Sequence, residues 1–316
     1  MAGGSPLTPK HILVLDSLFD DLDVERLAAS ARGWDVLQWD GSAAQLAQAD
    51  AVVHVRTRVD RDLIAQLTQC RVIGRFGVGL DSVDQAAAAQ RTIAVVNVRD
   101  YCLPEMTAHT LALAFALERR LTSWRNENWL DTDWQTFAKT RPVTGRTRAS
   151  VIGLGSIGTA IAGALRDLGY DVVTVTTRGR ATAERMELPV VPLEASLLRA
   201  DFVFLHAALE PATVNLIDRR GLSMLPAGAV LVNTARLGLV DQGAVAEALA
   251  SDRLGGLGID ARLEADSPLR RFAGDPRVLI TPHVGWYSER SARVLRERAI
   301  VNTIDAYGAT AGRTAS

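Results

Sequence analysis

A glycine-rich turn between a strand pattern and a helix pattern constrains this chain more than any other segment. The apolar run ending at Gly153-Leu-Gly155-Ser-Ile-Gly158 leads into a helix pattern over 159–168, and a second strand pattern follows at 171–176. Glycines at this spacing let the backbone approach a pyrophosphate at a helix N-terminus. The context predicts a βαβ unit that binds a dinucleotide. The predicted phosphate contacts are Gly153, Gly155, Ser156, Ile157 and Gly158.

The residues that end the second strand predict which dinucleotide is bound. At this position an NAD site usually has an acid that accepts hydrogen bonds from the ribose 2′-hydroxyl. This chain has Thr176 instead, followed by Thr177, Arg178 and Arg180. Guanidinium groups bind phosphate through several donors, and no acid repels it. We therefore predict NADP(H) in preference to NAD(H), with NAD(H) as the alternative. The alternative to a phosphate site is a solvated loop whose arginines contact nothing.

Composition excludes several classes of protein. A length of 316 residues predicts two domains, and a net charge of −1 gives no reason to expect nucleic acid or membrane as a partner. Two cysteines, Cys70 and Cys102, form neither a disulfide framework nor a zinc motif, so no metal is predicted. The first ten residues lack the apolar region of a signal peptide, and we expect a cytoplasmic protein.

Two series of short strands alternate with helices along the chain, which predicts parallel sheets covered by helices. Between the series lie a long helix pattern at 104–121 and a tryptophan-bearing segment at 124–144, which we interpret as a linker or arm. A final helix at 288–307 is expected to leave the second domain. Predicted strands are 11–16, 35–39, 51–55, 72–76 and 93–98, then 150–154, 171–176, 202–207, 229–234, 256–260 and 278–281.

Three segments that close strands of the second series carry the residue types needed for ketone reduction. Arg236, the acids Asp260 and Glu264, and His283 follow consecutive strands. Hydride addition to a carbonyl leaves charge on oxygen, which a protonated imidazole can neutralise. An acid would orient that ring, and arginine would grip a neighbouring carboxylate. Taken singly, each of these residues could instead be a turn, cap or loop residue. Their order along the chain and their common position at strand ends favour a catalytic site.

These motifs resemble the signatures of the D-isomer-specific 2-hydroxyacid dehydrogenases. The resemblance rests on 153–158, 233–241, 258–260 and 281–283, with 75–84 and 94–97 in the first series. Segments 281–289 and 98–102 are most similar to the branch related to C-terminal binding proteins. The family implies two Rossmann-like doubly wound parallel-sheet domains with the active site in the cleft between them. The implied boundaries are 1–104 plus 285–316 for the substrate domain and 105–284 for the dinucleotide domain, with dimerisation through the latter.

The resemblance also implies roles for individual residues. Arg236 would bind the substrate carboxylate and ketone oxygen, His283 would be the acid/base, and a glutamate would pair with it. The backbone amides of Val78 and Gly79 would hold the carboxylate, and Asp260 the nicotinamide carboxamide. Further residues expected at the cofactor are Thr107, His206, Thr234, Ala235 and Gly285, and at the substrate Arg56, Tyr101 and Trp286.

Two departures from the family pattern affect the predicted site. The family's glutamate position is occupied by Ala265, with Glu264 one residue early and Asp266 one residue late. We predict Glu264 in preference to Asp266 as the partner of His283. Leu237 stands where the family generally has glycine, and its side chain could crowd the cleft or alter the loop.

The substrate remains open at the level of sequence. Arg56 and Arg58 could bind a second anionic group, whereas Trp286, Tyr287 and Tyr101 could instead line an apolar pocket for an aromatic or branched 2-keto acid. The sequence therefore favours an NADP(H)-dependent 2-ketoacid reductase. Its alternatives are a dinucleotide-sensing, corepressor-like scaffold and a same-fold oxidoreductase for another substrate class.

Overall fold

The computed structural model describes residues 10–125 and 147–311, which form two compact units. One unit holds the chain up to Tyr101 and again from Ser288, and the other runs from Cys102 to Tyr287. The predicted domain boundaries differ from these by three residues each. Each unit contains one parallel sheet, of five strands in the first and six in the second. From residue 126 to its end, the predicted arm lies outside the described residues.

The first unit is an open sheet in the order β2-β1-β3-β4-β5. Side chains of Ser42, Asp60 and Asp84 accept hydrogen bonds from the first turns of the three helices they precede, which satisfies donors that have no partner in the helix. The strands are β1 Lys10–Val14, β2 Trp34–Gln38, β3 Ala51–His54, β4 Val72–Arg75 and β5 Ala94–Val96. The helices are α1 Asp23–Ser30, α2 Ala43–Gln48, α3 Arg61–Gln66, α4 Gln85–Gln90 and, from the end of the chain, α11 Glu289–Ala311.

A buried ion cluster ties α11 to α1. The guanidinium of Arg296 binds both oxygens of Glu25, with Nη2–Oε2 at 2.7 Å, and also the Asp21 carboxylate at 2.6 Å. It stacks over the Phe19 ring. Glu25 has no exposed surface, so the arginine supplies the charge compensation that burial demands. Hydrogen bonding to Glu25 raises the pKa of Arg296 further above its usual range.

The second unit is a sheet in the order β11-β10-β9-β8-β6-β7, with every pair parallel. Its strands are β6 Arg148–Ile152, β7 Asp171–Val175, β8 Phe202–Leu205, β9 Ala229–Asn233, β10 Leu254–Asp260 and β11 Val278–Thr281. Its helices are α5 Leu103–Glu118, α6 Ser156–Asp167, α7 Arg180–Arg185, α8 Leu193–Leu197, α9 Arg219–Met224 and α10 Gln242–Ala250.

Close packing brings α5 onto strand β10 of this sheet. A Cβ added at Gly258 would lie 3.2 Å from that of Leu113, and one added at Gly256 would lie 3.3 Å from that of Leu117. Glycine in the strand therefore lets the helix backbone approach closely. Apolar clusters cover both faces of the sheet, which explains why its strands read as continuous apolar runs.

Each predicted strand is present, but several end earlier than predicted. Phe76, Ala207 and Thr234 belong to the loops that follow their strands. The predicted strand 93–98 is only Ala94–Val96, because the Val98 N–H donates to the Gly77 carbonyl in a loop contact. The residues of chemical interest thus lie at the strand ends or in the loops just beyond them. No helix in the described residues is long and apolar enough to cross a membrane.

Replacing Arg296 tests the buried ion cluster. Arg296→Met should lower the free energy of unfolding by about 3–5 kcal/mol, because Glu25 is left buried and unpaired. The double variant Glu25→Leu with Arg296→Met should recover most of that loss, since no charge is then buried. Urea denaturation followed by circular dichroism measures both. A double variant as unstable as the single one would contradict the explanation.

Candidate active site

The glycine turn forms an open cradle at the N-terminus of α6. Gly153 has φ +98° and donates its N–H to the Val175 carbonyl at 2.8 Å. A Cβ on Gly158 would overlap the Gly153 carbonyl oxygen, whereas a Cβ on Gly155 would meet nothing within 4 Å. Gly153 and Gly158 therefore shape the turn itself, and the space beside Gly155 is free for a ligand.

Backbone donors of α6 face this space. The first backbone bond of the helix runs from the Thr159 N–H to the Gly155 carbonyl at 2.8 Å, so the N–H groups of Ser156, Ile157 and Gly158 have no acceptor within the helix. The helix dipole adds partial positive charge at the same end. The cradle consequently fits the diphosphate of a dinucleotide.

His206 lies directly against the glycine turn. Its N–H donates to the Ile152 carbonyl at 2.8 Å, and a Cβ on Gly153 would collide with the His206 backbone. The ring Nε2 is buried and has no hydrogen-bond partner within the described chain. Burial lowers the pKa of His206 to about 4, so the ring is neutral at physiological pH. An unpartnered polar atom here suits a residue that lines a cofactor.

At the end of β7, one of the two predicted phosphate-binding arginines is already paired with an acid. The Thr176 hydroxyl accepts the Gly179 N–H at 2.9 Å, while Thr177 and Arg180 are exposed. Arg178 forms a two-point ion pair with Glu210, at 2.8 and 3.1 Å. Sequence reasoning missed Glu210, which lies 32 residues away on the loop after β8.

The loop that carries His283 is organised by the Asp260 carboxylate. Oδ1 accepts from the Thr281 hydroxyl at 2.6 Å and from the Val284 N–H at 2.8 Å, and Oδ2 accepts the Gly285 N–H at 2.8 Å. His283 has φ +64°, a conformation that non-glycine residues adopt only when their surroundings impose it. Its Nδ1 lies 3.2 Å from the Asp260 carbonyl oxygen.

His109 on α5 extends this network and was missed from the sequence. Its Nε2 lies 2.9 Å from the Thr281 hydroxyl and 3.7 Å from the Asp260 carboxylate. A Cβ on Gly285 would lie 2.8 Å from the His109 ring, which explains the glycine. The available signal was a pair of polar residues, His109 and Thr110, inside an apolar helix.

The Arg236 loop is held from below by Asn233. The Asn233 side chain donates to the Arg236 carbonyl at 2.9 Å and accepts the Ala235 N–H at 3.1 Å. The hydroxyls of Thr234 and Thr110 lie 2.8 Å apart. Leu237, expected to crowd the cleft or alter the loop, begins a single-turn 3₁₀ helix at Leu237–Leu239 and packs against the core of the second unit.

The structure does not bring an acid to His283. Glu264 and Asp266 are both exposed, and no ion pair or hydrogen bond joins either to His283 in the part of the chain that is described. The Asp260 carbonyl is the group that meets the ring. The choice between Glu264 and Asp266 stays a prediction. Trp286 donates its indole N–H to the His283 carbonyl at 3.2 Å.

In the first unit, a loop after β4 presents backbone donors. The described residues offer no hydrogen-bond acceptor to the N–H groups of Val78 and Gly79. The loop is fixed from the other side, because Asn97 donates to the Val78 carbonyl at 2.6 Å and Asn302 donates to the Asn97 carbonyl at 3.0 Å. Such a loop can bind a carboxylate.

Other predicted residues take simpler roles. The guanidinium-bearing residues Arg56 and Arg58 are exposed, and Tyr101 is buried. The Asp16 carboxylate accepts the Arg56 N–H at 2.6 Å; its burial raises the pKa of the carboxyl, but hydrogen bonds from three successive backbone N–H groups hold it below its usual value. Thr107 donates to the Leu103 carbonyl within α5 at 2.7 Å.

His54, at the end of β3, is a buried histidine without full hydrogen bonding. Its Nδ1 lies 2.9 Å from the Thr57 carbonyl oxygen, and its Nε2 has no partner within the described chain. Burial, together with the nearby charge of Arg75, lowers the pKa of His54 to about 4. The folded protein therefore keeps this ring neutral.

The second unit thus combines a diphosphate cradle with an arginine and a histidine at one sheet edge. Strands β9, β10 and β11 are neighbours, so the loops carrying Arg236, Asp260 and His283 begin at adjacent strand ends. Within the described residues no cluster of three or more His, Cys, Asp or Glu side chains could hold a metal. These features define a Rossmann-type dinucleotide-binding domain with groups suited to ketone reduction.

Comparison with known proteins identifies the family. Residues 108–285 match the model of the D-isomer specific 2-hydroxyacid dehydrogenase NAD binding domain. The chain belongs to the D-isomer-specific 2-hydroxyacid dehydrogenase family, whose members are NAD(P)-dependent oxidoreductases.

Two of the similar curated proteins are named as dehydrogenases of small hydroxy acids. D-3-phosphoglycerate dehydrogenase of Mycobacterium tuberculosis is 34% identical over 255 residues, covering 78% of this chain and 47% of that protein. Glycerate dehydrogenase of Methylorubrum extorquens is 31% identical over 256 residues, covering 78% of each. The chain spans about half the length of the phosphoglycerate dehydrogenases that it matches. These names support membership of the family. They do not support the predicted placement in the branch related to C-terminal binding proteins.

A solved structure confirms the fold class. D-lactate dehydrogenase from Aquifex aeolicus, crystallised with NAD and lactic acid, superposes with a TM-score of 0.85 at 21% identity, covering 95% of this chain and 96% of that one. At this identity the likeness supports the fold alone.

Alanine at two glycines separates the shape of the turn from the space for the ligand. Gly158→Ala should destabilise the protein, because its Cβ would overlap the Gly153 carbonyl. Gly155→Ala should keep the melting temperature within about 2 °C, since the site is open and its backbone angles suit alanine. It should nevertheless weaken dinucleotide binding at least about 10-fold, because the methyl group takes the ligand's space. Thermal melting and calorimetric titration with NADPH test both, and unchanged binding by Gly155→Ala would contradict the cradle.

Acid should destabilise the protein partly through His54. Its pKa falls from 6.5 unfolded to about 4 folded, so the unfolded state binds the extra proton. This contribution is fully present above pH 6.5 and declines as the pH falls towards 4, by about 3 kcal/mol in total. His54→Gln should flatten the pH dependence of the unfolding free energy across this range by about that amount. The variant is compared with its own stability at pH 8, and an unaltered slope would rule out the assignment.

Proposed function

We propose that the protein reduces a 2-keto acid to a D-2-hydroxy acid, or catalyses the reverse oxidation, with a nicotinamide dinucleotide. The observation that carries the proposal is the position of His283. Its left-handed backbone is fixed by Asp260, and Nδ1 is directed at the Asp260 carbonyl. With Nδ1–H donated there, Nε2 is the nitrogen left for a substrate oxygen.

The proposed roles follow from this geometry. The nicotinamide of a dinucleotide held by this domain would supply the hydride to the substrate's C2 in reduction and accept it in oxidation. His283 donates a proton from Nε2 to the carbonyl oxygen during reduction and takes it back during oxidation. Arg236 binds the carboxylate next to the reacting carbon and so orients that carbon. The N–H groups of Val78 and Gly79, in the first unit, suit a carboxylate. Glu264 remains the proposed acid partner of His283.

The proposed cofactor is NADP(H), with NAD(H) as the alternative. Its support is the absence of an acid at Thr176 and the presence of Arg178 and Arg180 beside it. A 2′-phosphate at this edge of the sheet would bind the exposed Arg180 and, once it displaces Glu210, Arg178. Both carboxylate oxygens of Asp260 already accept hydrogen bonds from the end of β11 and the loop after it, and we keep its contact with the nicotinamide carboxamide as a proposal.

The names of the relatives favour a small polar substrate. Phosphoglycerate and glycerate carry a hydroxyl or phosphate next to the 2-hydroxy acid, and the exposed Arg56 and Arg58 suit such an anion. The alternative is an apolar substrate beside Trp286 and Tyr287, whose rings make an edge contact at 5.6 Å. We further propose that the first unit binds the substrate and that the second unit binds the dinucleotide. The second unit is also the proposed homodimer interface. The proposed location of the protein is the cytoplasm.

Turnover of 2-keto acids tests the proposal. Wild type should oxidise NADPH faster than NADH with at least one of a panel containing glyoxylate, hydroxypyruvate, 3-phosphohydroxypyruvate and an aromatic 2-keto acid. His283→Asn and Arg236→Ala should each lower kcat/KM by about 10²–10⁴-fold, because proton transfer or carboxylate binding is lost. Dinucleotide affinity should change little.

Matched substitutions outside the site provide the controls. His11→Asn and Arg220→Ala should retain wild-type turnover, since neither residue belongs to the proposed site. Tight dinucleotide binding with no turnover of any acid would favour the alternative, a dinucleotide-sensing scaffold like the C-terminal binding proteins. Full activity in both His283→Asn and Arg236→Ala would refute the proposed mechanism.

A further inference from the structure

The ion pair between Arg178 and Glu210 spans the end of the strand that leads into the glycine turn. Arg178 follows β7, and Glu210 follows β8. In the sheet, β6 lies between these two strands. Because the strands are parallel, all three end at the same edge. The pair therefore crosses over the carboxyl end of β6, beside the Gly153–Gly158 turn.

This position is where doubly wound sheets bind their ligands. The chain passes from β6 to β7 on one side and then returns to β8 on the other, which makes β6 the topological switch point. In doubly wound sheets the crevice beyond such a point takes the ligand. Since Arg178 follows the strand that reads the ribose in these folds, the pair lies at the adenosine end of the crevice.

The ion pair between Arg178 and Glu210 is exposed to solvent and can therefore open readily. The Arg178 side chain is 80% exposed and that of Glu210 is 40% exposed, and exposed ion pairs are weak. The backbone of Glu210 is better fixed, because its N–H donates to the Thr213 hydroxyl at 2.8 Å and its carbonyl accepts the Thr213 N–H at 2.8 Å. The Glu210 side chain also accepts the Thr213 backbone N–H, which keeps its carboxylate nearby when the pair with Arg178 opens.

We propose that Glu210 is a specificity-determining residue that weakens the preference for a 2′-phosphorylated dinucleotide. It occupies the guanidinium face of Arg178 that a 2′-phosphate needs. A phosphate that replaces it gains Arg178 but lies beside a like charge, which disfavours binding. The neutral 2′-hydroxyl of NAD(H) requires neither change. The inference deepens the proposed function and rests on its assignment of the dinucleotide site.

A different role for Glu210 predicts a different result. The carboxylate could accept a hydrogen bond from the ribose 2′-hydroxyl and so replace the acid that Thr176 lacks. Removing its charge would then weaken binding of the unphosphorylated ribose. Under the proposed role, the same change strengthens binding of the phosphorylated one. The two roles are therefore distinguished by which ligand responds.

Binding of two adenosine fragments tests the inference without any turnover. Affinities of 2′,5′-ADP and 5′-AMP are measured by calorimetry for wild type, Glu210→Gln, Arg178→Ala and the double variant. Glu210→Gln should bind 2′,5′-ADP about 10-fold more tightly, because the competitor and the like charge are removed. Its affinity for 5′-AMP should stay within about 2-fold. In the Arg178→Ala background the gain for 2′,5′-ADP should fall to about 3-fold or less, since only the like-charge effect remains.

Glu184→Gln is the matched control, because it removes one negative charge from an exposed residue of α7 in the same unit. It should leave both affinities unchanged, and thermal melting verifies folding of every variant. Unchanged 2′,5′-ADP affinity in Glu210→Gln would overturn the inference, as would a loss confined to 5′-AMP. Because the fragments carry no nicotinamide, failure of 2-keto acid turnover leaves this result interpretable.

Discussion

The buried carboxylate of Asp260 is the interaction on which the arrangement of the candidate active site depends. A carboxylate inside a protein is costly unless donors surround it. Here three donors come from the loop that follows the neighbouring strand: one hydroxyl and two backbone N–H groups. Those bonds hold His283 in a left-handed conformation that costs about 1–3 kcal/mol at a non-glycine residue. The same hydrogen bonds thus offset the cost of burying the Asp260 carboxylate and fix the backbone of His283, the proposed acid/base.

Small residues make this interaction geometrically feasible. Gly258 admits α5 against β10, and the approach of that helix places His109 within hydrogen-bonding distance of Thr281. Gly285 then leaves room for the His109 ring beside the Asp260 carboxylate. The site is consequently supported from the helix layer as well as from the strand ends. We expect an enlarged residue at Gly258 or Gly285 to affect His283 through that layer.

Local patterns predicted the fold and suggested the residues of the candidate site, but not its long-range contacts. Strand periodicity and the glycine turn are properties of neighbouring residues, and the two parallel sheets are confirmed. The partners His109–Thr281 and Arg178–Glu210 are 172 and 32 residues apart, so only the packed chain brings them together. Loop geometry was equally out of reach, because Glu264 is near His283 in the motif order yet is exposed and makes no contact with it.

The negative charge that β7 lacks at Thr176 is present on a neighbouring loop, at Glu210. Thr176 leaves β7 without the acid that an NAD site usually places there. Glu210 nevertheless brings a carboxylate to the same edge from the loop after β8 and binds the Arg178 guanidinium. Reading β7 alone therefore overstates the net positive charge available to a 2′-phosphate. Under the role proposed for Glu210, cofactor selectivity depends on the loops after both strands that flank β6, and not on β7 alone.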